Sequence, residues 1–158
     1  MTIGIYTLVI KNQKDQYLII GKLGNFFFPQ GLYVYIGSAL GKSATNLEHR
    51  LQRHLLKLKR KHWHIDFFLC SAFAEIVTIY YALTSEKREC QLASSIISKD
   101  NAIIPIPGFG ASDCTNNCKS HLVYFQIEQA QLMSLIQSTF YEINLKPLDY
   151  PLTKSYNE

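Results

Sequence analysis

Apolar and polar positions along the chain follow two periods, and the switches between them mark the elements. Residues 3–10 (IGIYTLVI) are apolar and β-branched almost without a break, and they predict a β-strand. Asn12 to Asp15 supply a turn, and Tyr17–Lys22 predicts a second strand, loosened at its end by Gly21 and Gly24. Asn25–Gly31 reads as an apolar patch closed by a Pro-Gln-Gly turn. A third strand is predicted over 32–37, with Tyr33, Tyr35 and Gly37 on one face. Short connections between three strands imply antiparallel pairing. The period then changes. Leu47, Leu51, Leu55 and Leu58 recur at helical spacing, which predicts a helix over 47–60 with Asn46 as its N-cap.

Further along, His62–Cys70 predicts a second, short helix, and Ala74–Leu83 a buried strand. Thr84 or Ser85 caps a helix expected from about Glu86 to Ser98. Pro105, Pro107, Gly108 and Gly110 make 102–120 a structured loop. His121–Gln126 predicts an edge strand and Ile127–Tyr141 a final helix. The fold class expected is α/β of the α+β kind. It has a small, mainly antiparallel three-stranded central sheet flanked by helices, with an added C-terminal strand and helix. One domain is expected over 1–145, followed by an extended tail over 146–158.

Composition sharpens this. A chain of 158 residues with 47% hydrophobic and 18% charged residues folds around a core rather than staying disordered. The net charge of +4 is modest but unevenly placed: seven of the 16 Lys and Arg residues lie between Lys42 and Lys61. Arg50, Arg53, His54 and Lys57 form a second stripe beside the leucines. Lys42, Arg53, Lys57, Lys59, Arg60, Lys61, His62 and His64 are candidates for tracking a phosphate backbone. Trp63, inside this run, either stacks on an unpaired base or fills the core beneath the helix. Asp66 is placed to orient His62 or His64. No apolar run approaches the roughly 20 residues of a membrane span. The first residues lack the pattern of a secretion signal. A cytoplasmic location with reduced cysteines is expected.

Gly4-Ile5-Tyr6 lies on the first strand and Tyr35-Ile36-Gly37 on the third. A helix with Arg50 and His54 follows, and then Glu89 on a later helix. In that order these residues resemble the GIY-YIG nuclease superfamily. YIGSALG, RLQRHL, KRKHWHID, the Glu89-Cys90 pair, and GFGASDC followed by SHLVYF extend the likeness to Phe125. They resemble the branch also found joined to endonuclease III-like DNA repair enzymes. The resemblance implies metal-dependent hydrolysis of DNA phosphodiesters, in repair or processing, with DNA and a repair enzyme as partners. It implies Mg²⁺ or Mn²⁺ on Glu89, Tyr6 activating water, and Tyr35 positioning water or phosphate. Arg50, with Arg53 as its rival, would stabilise phosphate charge, and His54 would relay a proton or bind phosphate.

Cys90, Cys114, Cys118 and His121 supply four ligands of the kind that hold structural zinc, the alternative being reduced thiols. Two other functions therefore stand beside the nuclease: a non-catalytic nucleic-acid-binding module and a zinc-stabilised interaction domain.

Overall fold

A computed structural model of the protein describes residues 2–41, 46–111 and 118–152. With elements numbered in chain order, β1 (Gly4–Asn12) is the middle strand because both its edges are taken. It pairs antiparallel with β4 (Gly31–Ala39) on one side and β5 (Ala74–Leu83) on the other. β6 (Leu122–Phe125) adds to β4, and β7 (Leu148–Asp149) adds to β5. The central sheet thus has five strands in the order β6-β4-β1-β5-β7, all antiparallel, rather than the three expected.

The expected second strand is present but not in that sheet. β2 (Gln16–Ile20) pairs with β3 (Gly24–Phe28) as a separate two-stranded hairpin. The apolar patch expected over 25–31 is strand β3 as far as Phe28. The reason lies in the alternation: Leu18, Ile20, Phe26 and Phe28 face the core while Tyr17, Ile19 and Phe27 face outward. Strands with one dry face suit a layer resting on the sheet, not its middle.

Four helices complete the chain: α1 (Leu47–Leu55), α2 (His64–Leu69), α3 (Glu89–Ile97) and α4 (Gln129–Glu142). Tyr6, Leu8, Ile10, Tyr33 and Tyr35 form one sheet face, packed with residues of α1, α2 and the hairpin. Ile5, Val9, Val34 and Ile36 form the other, packed with α3 and α4. Covering both faces explains why the first strand reads as an unbroken apolar run.

Two helices differ from expectation at their ends. α1 stops at Leu55, not residue 60, and Leu58 is 91% exposed, so the apolar stripe ends early. Its inward face is Leu47, Leu51 and His54. The Lys59 ammonium folds back and takes the carbonyls of Arg53 and His54 at 2.9 and 3.1 Å, satisfying the last turn. Asn46 caps the start as expected, its Oδ1 accepting from the His49 N–H. α3 begins at Glu89 instead of Glu86, whose N–H is held by the Thr84 hydroxyl in the turn before it. β7 draws part of the tail back into the sheet. No described helix is long and apolar enough to cross a membrane.

Candidate active site

The two tripeptides meet across the β1–β4 ladder, where Tyr6 lies opposite Gly37. A Cβ on Gly37 would stand 2.5 Å from both the Cζ and the hydroxyl of Tyr6. The glycine of one strand therefore makes room for the phenol of the other. Gly4 has a different reason: a Cβ there would strike the backbone oxygen of Ala82 on β5.

Tyr6 is fully buried at the strand end, and its hydroxyl lies 2.7 Å from His54 Nε2 on α1. The Tyr35 ring sits 6.5 Å from that of Tyr6, centre to centre. Burial, with Tyr35 beside it, pushes the Tyr6 phenol well above its ordinary range, while the Arg50 guanidinium pulls it back. Burial likewise pushes Tyr35 up to about 12, again against the pull of Arg50. His54 moves the other way, down to about 3, because burial and the charges of Lys59, Arg50 and Arg53 outweigh Asp66. In the tautomer with the ring proton on Nδ1, Tyr6 donates and Nε2 accepts; in the other, Nε2 donates to the phenol oxygen. That Nδ1 is buried with no hydrogen-bond partner among the described residues.

Arg50 Nη1 donates to the Ser38 carbonyl at 2.7 Å, and its guanidinium packs 4.7 Å from the centre of the Trp63 ring. Arg53 packs against the same indole at 4.4 Å. Trp63 is thus a half-buried platform for two guanidiniums, joined to the core rather than free. Glu89 enters from the first residue of α3. Its Oε2 is buried and takes no hydrogen bond from the described residues. A carboxylate oxygen desolvated in this way calls for a cation. Tyr6, Tyr35, Arg50, His54 and Glu89 all line one cavity of about 160 Å³.

The other candidate cations divide sharply. Arg53 grips Asp66 with two nitrogens, each at 2.9 Å. Asp66 also accepts from the backbone N–H groups of His62 and Trp63 at 2.8 and 2.9 Å. It therefore holds the backbone before α2, not an imidazole ring as the sequence suggested. Lys57 donates to the carbonyls of Leu69, Ser71 and Ala74. Like those of Arg53 and Lys59, its charged end is engaged by carbonyls or Asp66, a role the phosphate-tracking expectation did not include. His64 Nδ1 accepts from the Gly110 N–H at 2.9 Å and pins the loop to α2. Arg60, Lys61 and His62 remain exposed, and Lys42 lies outside the described residues.

Cys90, Cys118 and His121 converge next to Glu89, their ligand atoms within 4.8 Å of one another. Cys90 and Cys118 are joined as a disulfide, which departs from the reduced state expected. Cys114 lies outside the described residues. His121 borders the same cavity as Glu89.

Sequence reasoning did not anticipate the Ser38 carbonyl as an anchor for Arg50, nor the clasp between His64 and Gly110. The only visible signals were Ser38, which lies in β4, and Gly110 in the loop before β6. A family model described as a domain of unknown function, DUF123, matches residues 5–144. No curated protein and no solved structure matches the chain.

Proposed function

The chain belongs to the DUF123 family, and we propose that it is a divalent-metal-dependent endonuclease acting on DNA. The observation that carries this reading is a convergence. Side chains from β1, β4, α1 and α3 line one small cavity, and the Glu89 oxygen in it has no described hydrogen-bond partner. Phosphodiester hydrolysis needs a way to deprotonate water, a cation for phosphate charge and a ligand for a metal. Glu89 fits Mg²⁺ or Mn²⁺ as a single hard ligand, the rest of the shell being water and phosphate oxygens. Such an ion, when bound, supplies Lewis-acid stabilisation of the phosphate and acidifies water.

The protein's own groups do the rest. With the ring proton on Nδ1, Tyr6 gives its proton to the His54 Nε2 hydrogen bond, which leaves its oxygen lone pairs to accept from a water in the cavity. Transfer of a water proton to Tyr6, with the phenol proton passing to His54, is closed in the resting protein. The phenol is held too high and the imidazole too low, and each pKa unit between them costs about 1.4 kcal/mol. A phosphodiester brings negative charge beside His54 and raises its basicity, so substrate itself narrows the gap. Arg50, anchored by Ser38 and Trp63, presents its remaining N–H groups to the phosphate. Tyr35, protonated, offers a hydroxyl donor to the same group. The likeness to domains joined to repair enzymes extends the proposal to DNA repair or processing, in the cytoplasm, beside such an enzyme.

The test is incubation of the purified protein with supercoiled plasmid and with a panel of branched and linear duplexes, with Mg²⁺, Mn²⁺ or chelator. Metal-dependent nicking or cutting is expected, lost in Glu89→Gln and reduced by about 10²–10⁴ in Tyr6→Phe. Cleavage that is equal in wild type and both folded variants would overturn the assignment.

A further inference from the structure

We infer that Cys90, Cys118 and His121 hold one zinc ion that fastens the approach to β6 onto the first turn of α3. Three observations carry this. The donors come from two separate parts of the chain, yet their ligand atoms all fall within 4.8 Å of one another. Cys90 Sγ and His121 Nε2 stand 3.7 Å apart, both in buried residues. Tetrahedral zinc, with Zn–S near 2.3 Å and Zn–N near 2.0 Å, puts neighbouring ligands roughly 3.5–3.8 Å apart. The sulfur–nitrogen edge therefore already has the length a zinc site requires. The third observation is the imidazole itself. Its Nε2 lies against the Cys90 sulfur, where it can serve as the nitrogen ligand once the two sulfurs are thiolates.

Binding requires the two sulfurs as thiolates: a thiol reductant first supplies two electrons and two protons to open the Cys90–Cys118 bond, itself becoming a disulfide, and each cysteine then loses its proton on metal uptake. Three protein ligands leave one position for water or a further donor. The softness of the set selects zinc over the hard ion proposed at Glu89. The backbone of His121 is held independently of any metal: its N–H donates to Phe109 and its carbonyl accepts from the Ile36 N–H, at 2.8 and 2.9 Å. The ion would thus join an already fixed β4–β6 edge to Cys90, the neighbour of Glu89. Its role is to position the helix start that carries the carboxylate. It makes no contact with substrate in this proposal and does not depend on the nuclease reading.

The full chain is produced with zinc in the medium and purified under thiol reductant without chelator. Elemental analysis is expected to find one zinc per chain. Replacement by Co²⁺ is expected to give a thiolate-to-metal charge-transfer band. Cys118→Ser and His121→Ala should each lose the ion, while Cys70→Ser, a free thiol outside the cluster, keeps it. The inference is overturned if reduced, folded wild-type protein supplied with zinc retains only traces. It is equally overturned if the ion survives both ligand substitutions, or if mapping under the same reducing conditions finds Cys90 and Cys118 still bonded. Wild-type metal content and the cobalt spectrum decide the matter even if the variants fail to fold. Neither measurement involves DNA, so a failed cleavage assay leaves them intact.

Discussion

Asp66→Asn removes one charge and almost no volume, and it should be among the most damaging substitutions in the chain. The Asp66 side chain is fully buried and accepts four hydrogen bonds, two from Arg53 and two from backbone N–H groups, with the Lys59 ammonium 3.9 Å away. An amide would turn an NH₂ toward donors and leave Lys59, whose side chain is only 4% exposed, without its counter-charge. Removing one partner of a buried pair costs about 3–5 kcal/mol. For a chain of this size that lowers Tm by roughly 10 °C.

Urea unfolding followed by circular dichroism, at pH 7 and again under acid conditions, measures this. Burial raises the Asp66 carboxyl, but Arg53 and the amides of His62 and Trp63 outweigh it and hold it below its ordinary value. A depressed carboxyl contributes stability above its unfolded pKa of about 3.9 and loses it as pH falls through the folded value. The gap between wild type and variant should therefore close on acidification. A loss under about 1 kcal/mol at neutral pH, or a gap unchanged in acid, refutes the charge argument.

Three other outcomes follow from the same coordinates. His54, held neutral at about 3, is protonated in the unfolded chain below its ordinary pKa of about 6.5. Its contribution is therefore present above that value and lost as pH falls toward 3, and His54→Asn should flatten this stretch of the stability curve measured by urea titration. Gly37→Ala should push the Tyr6 ring away from His54. It should cut cleavage at least as far as Tyr6→Phe does, about 10²-fold or more by initial rates. Neutralising exposed Lys61 should lower the slope of log affinity against log salt by roughly 0.9 in DNA titrations, whereas Lys57→Gln should leave the slope unchanged and lower Tm instead.

What the sequence disclosed depended on how local each cause was. β1, β4 and β5 were legible because strand runs declare themselves over a few residues, and Asn46 because a cap is a single position. Tyr6, Tyr35, Arg50 and Glu89 were singled out by a family likeness, and the fold brings them into one cavity. The hairpin of β2 and β3 was misread because edge positions in the main sheet are contested by β5 and β6, far away in sequence. The intramolecular partners of the basic stripe were hidden for a related reason. Lys59 takes carbonyls of the last turn of α1 and Lys57 those of Leu69, Ser71 and Ala74, and no periodicity announces such free carbonyls. Lys42 and Cys114 lie outside the described residues.

The pairing of Tyr6 with Gly37 also bears on how the chain finds its alignment while folding. Sliding β4 along β1 by two positions would keep every apolar face inward, yet set Tyr35 or Ala39 where the phenol requires empty space. The vacancy left by one hydrogen atom thus acts as a lock for the neighbouring ring. A misaligned ladder is rejected by the phenol that the aligned one seats against His54, so strand register and the geometry of the cavity are checked in a single step.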